Sequence, residues 1–145
     1  METVVKTFRE LTPDELFDIY RLRVEVFVVE QNCAYQDIDD ADKVSYHVWV
    51  KDERGILAYL RVLPAGAQYE TVGIGRVIAA VRRKGYGSAV LAEGIKVAKE
   101  KLNADVITVG AQVYARGLYE KAGFKQVSEE YLEDNIPHIK MELHL

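Results

Sequence analysis

The fold of this chain is decided by the stretch Val77-Ile78-Ala79-Ala80-Val81-Arg82-Arg83-Lys84-Gly85-Tyr86-Gly87-Ser88. An apolar run ends in three consecutive cations, two glycines with one residue between them follow, and a helical pattern then begins. This order predicts a strand, a basic turn, a glycine-rich bend and the N-terminus of a helix. Glycine lets the backbone approach a ligand closely, and a helix N-terminus offers unpaired N–H groups with partial positive charge. The stretch therefore predicts a phosphate or pyrophosphate site, with a solvated basic turn capped by glycines as the alternative.

Strands and helices are predicted on both sides of this stretch. Before it, Thr12, Pro13 and Glu15 form a helix-start signal, and the helix is expected to continue to about Glu30, although the alternation over 24–30 also fits a strand. Residues 31–44 are rich in Asp and predict an exposed loop. The remaining expected helices cover 87–102 and 115–122, and the expected strands cover 4–8, 45–51, 56–63, 70–81, 105–111, 124–131 and 139–143.

These elements predict one domain over residues 1–145 with an α/β (α+β) fold. We expect a mixed central sheet of about six to seven strands flanked by helices, because a strand-rich first half precedes a strand–helix–strand–helix–strand second half. Gly94 lies inside the 87–102 helix and lowers its stability by ~1 kcal/mol relative to alanine unless a neighbour packs closely there. Gly73 and Gly75 lie within the strand expected over 70–81. They suggest a bulge there, or a close approach by another backbone or a ligand.

Composition and charge exclude several classes of protein. The net charge is -4 and 29% of the residues are charged, so no broad basic face is available for nucleic acid. Cys33 is the single cysteine, which rules out an internal disulfide and a cysteine-rich zinc site, and we expect no metal. The amino terminus lacks a signal-peptide pattern, and no apolar run approaches a membrane span. We therefore expect a cytoplasmic protein without a membrane partner.

Two short motifs resemble a known family. Arg82-x-x-Gly85-x-Gly87 fits the [QR]-x-x-G-x-[GA] signature of the GNAT acyltransferases, and 77–87 matches the longer pattern V-x-P-x-x-R-G-x-G-x-G. Ala79 stands where that pattern commonly has proline, and Arg83 where it commonly has glycine. Downstream, 118–124 resembles the family segment L-Y-E-K-x-G-F. Details at 22–31 and 131–138 are similar to the ElaA-like subgroup, so the resemblance extends over essentially the whole chain.

The resemblance implies a site for acetyl-CoA. In the family, the backbone of the segment that corresponds here to Lys84, Gly85, Tyr86, Gly87 and Ser88 holds the pyrophosphate. The resemblance gives Arg82 and Lys84 a supporting charge, and Arg83 is expected to face solvent or the adenosine 3′-phosphate. The strand segment Val77, Ile78 and Ala79 is expected to pair with the pantetheine arm, and a nearby N–H, that of Ile78 being one candidate, to polarise the thioester carbonyl.

The resemblance also assigns roles nearer the reacting atoms. Tyr119 matches the family tyrosine that protonates or hydrogen-bonds the leaving thiolate, although a half-buried structural tyrosine is its alternative. Gln112 stands where the family usually has asparagine, and its longer side chain can still bind an amide. Arg23, Glu25 and Arg76 are candidates for ion pairs beside the acceptor site, with isolated surface pairs as their alternative.

A general base is harder to assign, because an amine is mostly protonated near neutral pH and must lose a proton before it attacks. Glu30, at the end of the first helical region, and His138, in the late turn, are the two candidates, and each also has a structural alternative. His47 lies in an alternating strand and is interpreted as a packed, hydrogen-bonded structural histidine.

The favoured hypothesis is an N-acetyltransferase that moves an acetyl group from acetyl-CoA to a primary amine by direct transfer in a ternary complex. The acceptor is expected to be a small molecule or a protein amine, and the acidic charge balance favours a cationic one. The alternative is a non-catalytic acyl-CoA binding or sensing module. A nucleotide-phosphate protein of another fold is disfavoured because the P-loop pattern is absent. A homodimer is also expected, with the strands around Trp49 offering an apolar face.

Overall fold

A computed structural model describes residues 1–145 as one mixed sheet with helices on both faces. The three α-helices are α1 (Pro13–Arg23), α2 (Tyr86–Leu102) and α3 (Arg116–Lys121). The eight strands are β1 (Glu2–Thr7), β2 (Tyr46–Asp52), β3 (Gly55–Leu63), β4 (Val72–Ala79), β5 (Val106–Gln112), β6 (Lys125–Gln126), β7 (Tyr131–Glu133) and β8 (Ile136–His144). No helix has both the length and the apolar character that crossing a bilayer requires.

The sheet has the order β1-β2-β3-β4-β5-β8-β6, and β7 pairs with β8. Only β4 and β5 are parallel, and α2 makes the crossover between them. The predicted mixed α/β fold is confirmed, although the number of strands is higher than six to seven. The single strand predicted over 124–131 is wrong: Ser128 accepts the Lys140 N–H and donates to the Glu129 carbonyl, so its side chain replaces strand pairing there.

The predicted start of α1 is confirmed. The Thr12 hydroxyl accepts the Glu15 N–H at 3.1 Å, the Glu15 carboxylate accepts the Thr12 N–H at 2.9 Å, and Pro13 is the first helical residue. Helical structure continues to Glu30 as predicted, but Val24–Glu30 is a π-helix. Four of its seven residues are β-branched valines, which crowd an ordinary α-helix. The wider turn of the π-helix gives them more room.

Two apolar layers hold the helices on the sheet. On one face, α2 packs through residues such as Leu91 and Val97 against β3 and β4. A Cβ at Gly94 would lie 2.9 Å from both methyl groups of Leu60, so glycine is needed for this close approach. On the other face, Ile19 of α1 packs with Trp49, which is 2% exposed. The prediction that Trp49 belongs to an open dimer face is therefore wrong, because α1 covers it.

Candidate active site

The strands β4 and β5 separate along their length. They pair only at Val72 with Ile107 and at Gly73 with Thr108. Beyond this point β4 contains one extra residue relative to β3, and Arg76 takes a φ of 53° in the bulge. The bulge bends β4 away from β5, so the edge of β4 that faces β5 has no partner strand from there onward. An extended ligand can pair with such an edge.

A cavity of about 340 Å³ opens where the two strands separate. Its walls come from the π-helix, the segment 31–41, the loop 67–69, the β4 bulge, β5 with the segment 114–115, α3 and the β7–β8 hairpin. Among the predicted site residues, the lining includes Val77, Gln112, Tyr119 and His138. The chain therefore brings these four side chains together around one space.

The basic, glycine-rich turn leads directly into α2. Gly85 precedes the helix with a φ of 79°, a left-handed conformation that favours glycine. The first-turn N–H groups of Tyr86, Gly87 and Ser88 have no acceptor within the helix. Arg82, Arg83 and Lys84 precede them in sequence, so cationic side chains and unpaired N–H groups occur in one short segment. This combination binds pyrophosphate well.

Arg83 occupies a strained backbone position. Its φ is 61°, in the left-handed region where the family pattern commonly has glycine. A side chain in this region costs about 1–2 kcal/mol. The arginine at position 83 is therefore expected to lower stability relative to glycine.

Tyr119 lies at the inner end of the cavity and is 6% exposed. Its ring meets that of Phe124 edge to face, with 5.8 Å between centroids. Burial raises the pKa of the Tyr119 hydroxyl well above its ordinary value. The hydroxyl is therefore protonated at neutral pH and can act as a hydrogen-bond or proton donor toward the cavity.

His138 lines the opposite wall, on β8. Its Nδ1 lies 2.7 Å from the Ile136 carbonyl oxygen, and its Nε2 lies 3.5 Å from an oxygen of Glu133. The ring stacks on that of Tyr131 at 5.9 Å between centroids. In the β5–β8 pairing, His138 is directly opposite Gln112.

Gln112 and Gln31 form a reciprocal amide pair, each donating to the other at 3.2 Å. The pair joins the residue that follows the π-helix to the end of β5 across the cavity. The Gln112 amide is therefore already engaged on both its donor and acceptor sides.

The other base candidate, Glu30, is in a different place. It does not line the cavity, and its carboxylate lies 2.7 Å from Nη2 of Arg82. Both side chains are substantially exposed. The structure therefore places Glu30 beside the basic turn and His138 beside the cavity.

Next to the cavity is a charged cluster that the sequence patterns did not predict. Asp42 binds Arg23 at 2.6 Å and Arg61 at 2.9 Å, while Asp37 binds Arg23 at 2.9 Å. Arg76, the bulge residue, lies 2.8 Å from Asp37. Burial raises the pKa of Asp42, but the two guanidinium groups outweigh it and hold that pKa below its ordinary value.

This cluster overturns the prediction of an exposed loop over residues 31–44. Asp37 and Asp42 are 3% and 1% exposed, because they neutralise arginines that the sheet buries. Arg23 and Arg76 form ion pairs as predicted, with Asp37, Asp39 and Asp42 as partners. The prediction for Glu25 is wrong, because its side chain is exposed and forms no ion pair. One signal of the buried cluster was available: Arg61 lies within an otherwise apolar strand, and a buried arginine needs a counter-ion.

His47 has the structural role that its strand pattern predicted. It is fully buried, with Nδ1 2.7 Å from the Tyr59 hydroxyl and Nε2 2.9 Å from the Asp42 carbonyl oxygen. Burial lowers the pKa of His47, so the ring is neutral near pH 7. It supports the turn that carries Asp42.

Comparison with known proteins gives a consistent result. The family description "Acetyltransferase (GNAT) domain" matches residues 10–145. A UPF0039 protein of Schizosaccharomyces pombe is 40% identical over 149 residues, covering 100% of this chain and 98% of the relative. The crystal structure of Escherichia coli ElaA has a TM-score of 0.90 at 35% identity, over 98% of this chain and 99% of that one. An acyl-CoA N-acyltransferase structure from Pseudomonas aeruginosa has a TM-score of 0.89 at 36% identity, over 98% and 99%.

Proposed function

The chain belongs to the GNAT acetyltransferase family and to its ElaA-like group, and from this premise we propose that it transfers an acetyl group from acetyl-CoA to a primary amine. The proposed reaction is direct transfer within a ternary complex. The observation that carries the proposal is the separation of β4 from β5, which opens a cavity with Tyr119 at its inner end.

Acetyl-CoA binding in this proposal uses mainly backbone groups. The N–H groups from Lys84 to Ser88 bind the pyrophosphate, Arg82 and Lys84 add positive charge, and Arg83 faces the adenosine 3′-phosphate or solvent. The pantetheine arm pairs with the free edge of 77–79. The Ala80 N–H donates to the Leu57 carbonyl of β3, so by strand alternation the Ile78 N–H also faces β3. The Val77 N–H is therefore the one that polarises the thioester carbonyl. Gln112 can offer its amide to this arm only by giving up its bonds to Gln31.

In the proposed chemistry, the acceptor first loses one proton to a base and then attacks the thioester carbon as a neutral amine. The tetrahedral intermediate expels the thiolate, which receives a proton from the Tyr119 hydroxyl. The second proton of the nitrogen restores that hydroxyl as the amide forms. His138 is the base in this scheme because it lines the cavity, whereas Glu30 is paired with Arg82.

A Tyr119→Phe variant tests this scheme. We expect kcat to fall about 100-fold, since the proton donor to the leaving group is lost. The acetyl-CoA Kd, measured by titration calorimetry, should stay within about twofold because the ring and its packing remain. Turnover is followed as CoA release with spermidine, glucosamine and a lysine-containing peptide.

Tyr114→Phe is the matched control, because Tyr114 lines the same cavity but is 81% exposed. This variant should keep its turnover. Undiminished turnover in Tyr119→Phe would remove Tyr119 from the mechanism.

The alternative function is acyl-CoA binding without transfer. The observation in its favour is that Glu30 is bound to Arg82 and not directed at the cavity. Tight acetyl-CoA binding with no transfer to any amine of the panel would favour this alternative.

A further inference from the structure

The hydrogen bond of His138 determines which ring nitrogen is free. A carbonyl oxygen only accepts, so Nδ1, 2.7 Å from the Ile136 oxygen, must carry a hydrogen. In the neutral ring the lone pair is therefore on Nε2. That nitrogen lies 3.5 Å from a carboxylate oxygen of Glu133, which also only accepts. Two acceptors thus face each other at the cavity wall, and a donor with positive charge is the natural partner for both.

The surroundings of His138 favour a cation at this position. From β7, Glu133 and the stacked Tyr131 face the ring, and β5 places the uncharged Gln112 opposite. Two cations lie near but are engaged elsewhere. Arg76 is bound to Asp37 and Asp39, and Lys140 lies over the ring of Tyr69.

The remaining groups near His138 add no positive charge. Cys33 and Asp134 line the same cavity, and the Cys33 thiol contacts the Asp134 carbonyl. Tyr69 also lines it, and burial raises its pKa to about 12, so its hydroxyl is neutral at pH 7. The local charge beside Nε2 is therefore negative.

We propose that Glu133 and the Nε2 of His138 together bind the ammonium group of a cationic primary amine acceptor. This inference rests on the proposed acetyl transfer and adds the place where the ammonium group of the acceptor binds and a substrate-binding residue, Glu133. The ammonium group donates to both acceptors when it arrives. One of its protons then moves to Nε2, the nitrogen keeps the electron pair of that N–H bond, and the neutral amine attacks the thioester.

Glu133 also has a role after the proton transfer. The imidazolium now carries hydrogen on both nitrogens, with Nδ1 donating to Ile136 and Nε2 to Glu133. The carboxylate stabilises this charged ring until Nε2 releases its proton to solvent. Glu133 is 55% exposed, which leaves a path for that proton.

Glu133→Gln tests the inference with the amine of the panel that is acetylated fastest. The substitution removes the carboxylate that accepts from the ammonium group, so the KM for a cationic amine should rise about tenfold. The KM for trifluoroethylamine, which is uncharged at neutral pH, should change little, and acetyl-CoA affinity should be unchanged.

Asp134→Asn is the matched control. It removes the same charge from a residue that lines the same cavity, and asparagine tolerates the φ of 51° at this position. It should leave the KM for the cationic amine within about twofold of that of the unmodified protein.

Equal increases of this KM in Glu133→Gln and Asp134→Asn, or an unchanged KM in Glu133→Gln, would overturn the inference, while transfer by the unmodified protein would preserve the proposed function. Absence of transfer by the unmodified protein to every amine would overturn both.

Discussion

The two sides of the cavity differ in the groups that form them: backbone groups on one side and charged side chains on the other. The proposed donor side, residues 77–88 with the start of α2, uses consecutive backbone groups and glycines. The proposed acceptor side, residues 31–44 with the β7–β8 hairpin, uses charged side chains that distant segments bring together. Backbone sites tolerate a side-chain change such as arginine in place of glycine at position 83, because the N–H groups remain. A cluster of paired charges does not tolerate the loss of one member. The two sides should therefore respond very differently to substitution.

The largest effect is expected from Asp42→Asn on the acceptor side. This change leaves Arg23 and Arg61 buried without their shared carboxylate. Removing one partner of a buried pair costs about 3–5 kcal/mol, so the free energy of unfolding in a urea titration should fall by about that amount.

Asp40→Asn is the control, since Asp40 is in the same turn but exposed. It should change stability by less than about 0.5 kcal/mol. Equal stabilities of the two variants would show that the buried cluster does not hold the acceptor side together.

The second largest effect is expected from low pH, which should reduce the folding stability of the acceptor side. Burial lowers the pKa of His47 below its ordinary 6.5, so below that pH the unfolded chain binds more protons than the folded one. Stability should therefore fall as pH drops through 6.5, by up to about 1.4 kcal/mol for each unit that separates the folded and unfolded pKa values.

A second loss is expected at lower pH. The pKa of Asp42 is also held below its ordinary 3.8, so its contribution is present above pH 3.8 and is lost as the pH falls further. The midpoint of thermal unfolding, measured from pH 8 to pH 3, checks both steps. In His47→Gln the loss that begins near pH 6.5 should disappear, and its persistence would assign that step to another group.

A smaller effect, of opposite sign, is expected from Arg83→Gly on the donor side. Glycine relieves the left-handed strain at this position, and the more flexible unfolded chain offsets part of the gain. Stability should rise by up to about 1 kcal/mol, with acetyl-CoA affinity reduced only by the loss of one charge. A clear loss of stability would mean that the Arg83 side chain contributes more than its backbone costs.

The smallest effect is expected from Glu30→Gln. Glu30 directly precedes the 31–44 segment and pairs with Arg82 of the donor side. Freeing Arg82 from its exposed partner should improve the acetyl-CoA Kd about twofold, because exposed ion pairs contribute little. A large fall in kcat in this variant would instead support Glu30 as the base.

The difference between the two sides also explains what could be predicted from sequence. The donor motif is contiguous, so its strand, turn and helix follow from local preferences alone. Gln112 and His138 are far apart in sequence and meet only through the β5–β8 pairing. Asp37 and Asp42 have the sequence signature of a solvated loop. They are buried because the fold brings Arg23, Arg61 and Arg76 to them. The valines of 24–30 fit both a strand pattern and an α-helix pattern. The structure forms a π-helix there, which neither pattern predicts.

The short seam between β4 and β5 has a consequence for amide hydrogen exchange. With only two paired positions, the amides on the free edge of β4 should exchange with deuterated solvent much faster than those that β4 shares with β3. A ligand strand laid along this edge would slow their exchange without moving any element of the fold. In this respect the sheet behaves as two sheets joined at one end, and deuterium uptake along β4 would report how far the cleft between them is filled.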